Sequence, residues 1–252
     1  MILARKKFVL TYKQTVLGPA WLIIHPLLSS IMHMIVFGYV VGVSTEGVPK
    51  LLFYLCSNTI WMLFSYCVQN NATTFTANAY LFGKVYFPRL TVPISNVLVG
   101  LLRFAVQMIL VAVVLAWYGA HGAAAPCWGW FWILPVLLVQ ICLMGCAVGI
   151  LLSSLTTKYR DLSILVSFGI QLWMYASPVV YPVTQLPEGS RLRFLLELNP
   201  VTAPVELFRK ALLGEGTADM SGWLYSLVFT AVLLIVGMLV FNHVEKDFMD
   251  TV

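Results

Sequence analysis

Tyr12-Lys13-Gln14-Thr15-Val16-Leu17-Gly18-Pro19-Ala20-Trp21 closes a basic N-terminal segment with Arg5, Lys6, Lys7 and Lys13, and opens onto an apolar run from Leu22 to about Val43. A cationic, aromatic-bearing stretch at such a junction reads as a helix lying in the membrane interface that hands over to a membrane span. The Gly18-Pro19 pair supplies the break at which the chain changes direction at the water boundary. Short basic stretches alternating with long apolar runs recur to the end of the chain. Its 252 residues are 60% hydrophobic and only 10% charged, whereas soluble domains carry roughly 25% charged residues. With a mean hydropathy of +0.90, the chain is an integral membrane protein. A net charge of +5 would suit nucleic acid, but the basic residues cluster in short loops between apolar runs, as the positive-inside rule expects.

A span requires about 20 mostly apolar residues, and the segments 22–43, 51–70, 94–117, 131–153, 162–181 and 223–241 qualify. The expected fold is therefore all-α: six transmembrane helices in a single transmembrane domain of residues 1–252, with an amphipathic interfacial helix over 1–20. Aromatic residues at the span boundaries (Trp21, Trp117, Trp128, Tyr181, Trp223) fit a membrane belt. Lys84, Arg89, Lys158, Arg160 and Lys246 fall on the same side as the N-terminal segment, which places both termini in the cytoplasm. The 182–222 segment is punctuated by Pro182, Pro187, Pro200, Pro204 and Gly214. It reads as one or two short external or re-entrant helices, one of them over 205–213 with Pro204 in its first turn and Gly214 as its stop. Such a segment is either a lid over a conduit or an ordinary external loop.

Few of the groups that catalysis would need are present in the sequence. No Asp or Glu falls inside the six segments, and no glycine-rich phosphate loop is present. Of five cysteines, Cys56, Cys67, Cys142 and Cys146 lie in apolar runs and read as packing residues, as does Cys127 in a loop. The first apolar run is too long for a cleavable signal peptide. The spans do carry polar stripes at helical spacing: His25, Ser29, His33 and then Phe37 in the first, and Ser163, Ser167, Gln171 and Tyr175 in the fifth. Asn58, Ser65 and Gln69 lie roughly on one side of the second. These stripes either line a conduit or hydrogen-bond between helices. Tyr39, Trp173, Tyr175 and Tyr181 suit a sugar path or a lipid belt. Arg103 is the one charge deep in a span, with Gln107 a turn away as a possible acceptor; it reads as an interhelical contact or a phosphate ligand.

The opening stretch, followed by Pro26, closely resembles the N-terminal signature of ABC-2-type exporter permeases, most of all the branch that exports O-antigen, capsule and teichoic-acid polysaccharides. Lys84-Val85-Tyr86-Phe87-Pro88-Arg89 is similar to the family's cytoplasmic loop between spans two and three. Tyr159-Arg160-Asp161-Leu162 and Ser177-Pro178-Val179-Val180-Tyr181 resemble the two ends of span five. Leu198-Asn199-Pro200, then Phe208-Arg209 and Gly214, resembles the external re-entrant region. Essentially the whole chain is covered, with five motifs in register.

The resemblance implies a homodimer of six-span subunits with two copies of a separate ATP-binding cassette subunit, in a bacterial plasma (inner) membrane. ATP and Mg would be bound by that partner and no cofactor, metal or catalytic residue by this chain. Lys7, Tyr12, Lys13, Lys84, Tyr86, Phe87 and Arg89 would contact the ATPase. Spans one and five would line the conduit through His33, Phe37, Ser167, Gln171, Tyr175 and Tyr181, and Asn199, Pro200 and Phe208 would form the external gate. The implied substrate is a polyprenyl-diphosphate-linked glycan moved outward. Arg103 stands where relatives tend to carry an acidic residue, so no role comes to it from the resemblance. An exporter of a drug or other small hydrophobic molecule is the alternative within the superfamily. A membrane-embedded glycan-processing enzyme lacks its intramembrane acids, and an ion channel leaves the motifs unexplained.

Overall fold

The computed structural model describes residues 6, 7, 9, 16–82, 90–159 and 161–250; side chains at 79–82, 157–158 and 244–250 are outside the description. All regular structure among the described residues is helical. The helices are α1 (Trp21–His33), α2 (Lys50–Ala72), α3 (Thr74–Phe82), α4 (Thr91–Ala120), α5 (Leu134–Lys158), α6 (Leu162–Tyr175), α7 (Arg191–Glu197), α8 (Thr202–Leu213) and α9 (Met220–Asp250). Among the described residues, five helical stretches are long and apolar enough to cross a membrane: Gly18–Val40, Lys50–Ala72, Thr91–Ala120, Trp128–Thr156 and Met220–His243. The chain is thus a multi-pass membrane protein.

The expected fifth span over 162–181 is shorter than anticipated, because its helix ends at Tyr175. Pro178 cannot extend the helix and disfavours helical backbone at the residue before it. Val179 and Val180, apolar enough to pass for the end of a span, are instead buried in protein.

Span one begins at the predicted break. Gly18 takes a left-handed φ of +50° and Pro19 opens the Gly18–Ala20 turn that leads into α1. Beyond α1 the helix widens into a π-helical segment, Met34–Val40, closed by the bond from Val41 N–H to Val36 O at 2.9 Å. Lys50 at the start of α2 donates to Gly38 O across 2.6 Å and lies 4.1 Å from the Tyr39 ring centroid. A π-helical stretch is rare and is found mostly at functional sites.

The interior helix is α2: 78% of its most apolar stretch is buried, against 17% for span one and 22% for α9. Its closest neighbour is α5, drawn in by Gly145 and Gly149. A Cβ on Gly145 would lie 2.7 Å from Cys67 Cβ, and one on Gly149 would lie 2.5 Å from Asn71 Cβ and 2.8 Å from Val68 O. Small residues four apart let membrane helices meet backbone to backbone, where dispersion replaces the missing hydrophobic drive. Gly237 of α9 similarly sits against α5, where a Cβ would be 3.2 Å from Ala147 O. Polar side chains fix the register: Asn58 of α2 donates to Ser30 Oγ of α1 at 3.2 Å, and Gln140 of α5 to Ser226 Oγ of α9 at 2.7 Å. The four interior cysteines are buried free thiols, and Cys127 is half-buried.

At the distal end, where span one finishes, α7 and α8 fold back over the bundle. Ser190 caps α7 by accepting from Arg193 N–H at 3.2 Å, and Gly214 stops α8 with a φ of +79°. Almost all of α8 is buried, and its Phe208 ring lies 6.1 Å from Phe104 in the middle of α4.

Candidate functional site

The residues assigned to a conduit divide into two groups. At the distal end His33, Phe37, Tyr175 and Tyr181 come together: the His33 and Phe37 rings are 6.2 Å apart, and the Phe37 and Tyr175 rings 6.1 Å. Tyr181 O–H donates to Tyr175 O at 3.0 Å, folding the chain beyond α6 back against its last turn. Spans one and α6 therefore meet at a cluster of aromatic rings. Further along α6, Ser167 and Gln171 are exposed together with Phe168 and Leu172, and only Ile170 and Met174 of this helix are buried. A helix that presents polar and apolar side chains outward over most of its circumference is unfinished as a membrane surface. Ser167 partly meets its own need by donating to Ser163 O at 3.1 Å.

The stretch assigned to an external gate is a hydrogen-bonded junction. Asn199 Nδ2 donates to Ala176 O at 2.9 Å and Ser177 Oγ at 2.8 Å, while its Oδ1 accepts from Trp173 Nε1 at 3.1 Å and Val201 N–H at 3.2 Å. One amide thus ties the end of α6 to the start of α8. Pro200 is buried, and its carbonyl accepts from Ser226 Oγ of α9. Phe208 is buried and faces the bundle core.

Next to it lies an ion pair that the sequence did not single out. Glu206 and Arg209, one turn apart on α8, each have a side chain 1% exposed and are bonded to each other. Glu206 also accepts from Val183 N–H at 3.2 Å, Thr217 N–H at 3.1 Å and Thr217 Oγ at 3.3 Å. Arg209 donates to Pro178 O at 3.1 Å, and its guanidinium carbon lies 4.4 Å from the Phe53 ring centroid in α2. Three segments far apart in sequence (the chain after α6, α8, and the lead into α9) converge on these charges. The i,i+3 spacing was the available signal, but it reads equally well as an exposed helical pair.

Of the residues assigned to an ATPase contact, Tyr12, Lys13, Lys84, Tyr86, Phe87 and Arg89 lie outside the described residues, as does Arg160. Lys7 is described: its ammonium donates to Asn96 Oδ1 in α4, and burial there holds its pKa below the usual lysine value. Asn96 in turn donates to Asn70 O at 3.0 Å and Asn71 Oδ1 at 2.9 Å, so Lys7 is tied to the end of α2 and the start of α4.

Arg103 does not pair with Gln107 as expected. Gln107 Nε2 is directed to Met62 Sδ at 3.8 Å, and the Arg103 guanidinium lies 4.6 Å from the Tyr66 ring centroid. Among the described residues no group of three or more His, Cys, Asp or Glu could hold a metal ion.

Residues 1–213 match the ABC-2 type transporter family. The chain belongs to that family. Within it, this ABC-2 chain is 28% identical to an O-antigen export system permease protein RfbA of Klebsiella pneumoniae over 99% of its own length and 93% of the relative's. It is 24% identical to the protein of the same description from Myxococcus xanthus, over 99% of this chain and 94% of that one. The ABC-2 family is the transmembrane component of its transporters, which accords with the long apolar helices of this chain.

Proposed function

We propose that this chain is the transmembrane subunit of an ATP-binding-cassette exporter that moves a polyprenyl-diphosphate-linked, O-antigen-like polysaccharide outward across the bacterial inner membrane. The observation that carries the reading is similarity along essentially the whole chain to relatives described as O-antigen export system permeases. In the working assembly two copies pair, both termini face the cytoplasm, and two ATP-binding subunits supply the energy. The exposed, partly polar surface of α6 and the lightly buried span one are the surfaces left for a second copy and for the glycan path. Phe37, Tyr175 and Tyr181 offer aromatic faces for sugar rings at the distal mouth, with His33 beside them and Ser167 and Gln171 leading up to it. Asn199, Pro200 and Phe208 form the cap that α6 carries, and the Lys7 segment passes the push of the ATPase to α2 and α4.

The test places single cysteines at Gln171 or Tyr175 in the complete transporter and labels them with a bulky thiol reagent. Glycan export should stop while ATP hydrolysis by the partner continues. Full labelling with undiminished export would remove α6 from the path. Undiminished surface glycan in cells lacking the chain altogether would overturn the substrate assignment.

A further inference from the structure

Between α1, α2 and α4, at the end of the bundle where span one begins, a cavity of about 360 Å³ runs inward from Trp21 and Gln69 to Arg103 and Gln107. We infer that it binds the phosphate or diphosphate head of a membrane lipid, with Arg103 as the cation that holds it. The leaflet is the cytoplasmic one if the proposed orientation is right; only that naming of the side rests on the proposed function.

Asn96, Gly100, Arg103 and Gln107 recur at spacings of four, three and four, so they share one face of α4. Gly100 lets this face close on α2: a Cβ there would lie 3.0 Å from Tyr66 Cδ1. The close approach lays the Arg103 guanidinium over the Tyr66 ring. Counted from Thr91, where α4 begins, Arg103 sits about 18 Å along the helix, past the headgroup layer of several Å. A cation at that depth is costly without a partner, and none of the ion pairs among the described residues involves it. Stacking on a ring covers one face of the guanidinium and leaves its planar fork of N–H donors for an oxyanion.

The cavity walls favour the same occupant. Among the described residues they include no Asp or Glu; besides Arg103, the polar side chains are His25, Ser65, Tyr66, Gln69 and Gln107, and Trp21 at the mouth is the residue type that marks the headgroup level. Gln69 is exposed there and donates to Ser65 Oγ at 3.0 Å. On the same face of α4, about two turns nearer the aqueous end, Lys7 reaches Asn96 and adds a second positive charge above the cavity. A phosphate ester in the cavity would bring its negative charge to Arg103 while its hydrocarbon chains stayed in the surrounding lipid.

Native mass spectrometry of the complete purified permease tests this, with phosphatidylglycerol, undecaprenyl diphosphate and, as the phosphate-free control, diacylglycerol as probes. The wild-type protein should retain at least one phosphate-bearing lipid in preference to diacylglycerol. Arg103→Met should weaken that retention by about tenfold or more, the scale of a lost charge-assisted hydrogen bond, and Arg103→Lys should keep most of it. Retention of phosphatidylglycerol alone identifies a structural lipid, and of undecaprenyl diphosphate alone a transported one; both support the site. No preference over diacylglycerol, or wild-type binding by a folded Arg103→Met protein, overturns it. Should Arg103→Met not fold, Gln69→Glu decides: a carboxylate at the exposed mouth should weaken retention, and unchanged binding overturns the inference. Because the readout is lipid binding, failure here leaves the export reading standing.

Discussion

Replacing Glu206 with Gln removes one charge from a pair whose side chains are each 1% exposed and leaves Arg209 as an uncompensated buried cation. Its remaining partners would be the neutral amide oxygen at 206, Pro178 O and the Phe53 ring. The new amide can still accept from Val183 N–H through its oxygen, but its NH2 group then faces Thr217 N–H, donor against donor. Breaking a buried pair by removing one partner costs about 3–5 kcal/mol. For a chain of this size about 1 kcal/mol corresponds to roughly 2–4 °C in melting temperature. The apparent melting temperature of the solubilised permease should therefore fall by about 6–20 °C. Arg209→Met strands the carboxylate instead, which keeps the three donors from Val183 and Thr217 and so should lie toward the low end of that range. The double variant, with no net buried charge, should be destabilised by clearly less than the sum of the two, a coupling of about 1–3 kcal/mol. Thermal unfolding of the four proteins in one detergent closes the cycle. If Glu206→Gln melts within about 1 °C of wild type, or if the two substitutions simply add, the charges do not act as the joint between α8, Pro178 and Thr217, and the reasoning fails.

Gly149→Ala should drive a methyl group into Asn71 and the Val68 carbonyl; overpacking of this kind costs about 1–3 kcal/mol and should appear as a lower melting temperature, with an unchanged melt refuting the backbone contact between α2 and α5. Asp219 caps α9 by accepting from Gly222 N–H at 3.0 Å and Ser221 O–H at 2.6 Å, and the Gly222 bond first, then that from Ser221, hold its carboxyl below the usual value of 3.8. A depressed folded pKa means a contribution present above the unfolded pKa and lost as pH falls through the folded one. Asp219→Ala should thus cost about 1 kcal/mol at neutral pH, and the difference from wild type should shrink as melts are taken below about pH 4; a gap that stays constant to pH 3 would contradict the cap.

The membrane spans were legible because length and hydropathy are properties of a single segment. Gly18, Pro19, Pro204 and Gly214 gave away the turns and helix ends they make, since their backbone constraints act locally. Pro178 shows the limit of the same logic: Val179, Val180 and Tyr181 continue the apolar run, so hydropathy extends the span past the residue that ends the helix. What stayed hidden depends on partners from elsewhere in the chain. Gly145 and Gly149 carry the spacing of a packing motif, but nothing local says that α2 is the helix they admit. Asn58 sits in a polar stripe, yet its partner is Ser30, one residue off the stripe drawn on span one. Gln107, a turn from Arg103, turns instead to Met62. Nothing local marks Glu206 and Arg209 as buried, because their surroundings are supplied by Phe53, Pro178, Val183 and Thr217, none of which adjoins them in sequence. The polar stripe on α6 was visible in the sequence and is exposed in the fold, while the contact of Phe37 with Tyr175 required two spans to be brought together.

The glycines of α5 have a mechanical corollary. Where two helices touch with backbone against side-chain roots, as Gly149 does at Asn71 and Val68, a slip of one residue would put Val148 or Ile150 where only hydrogen fits. The central pair is a dovetail, free neither to slide nor to turn about its long axes. Around such a fixed hub the lightly buried outer helices, not the central pair, are the parts the packing leaves free to tilt.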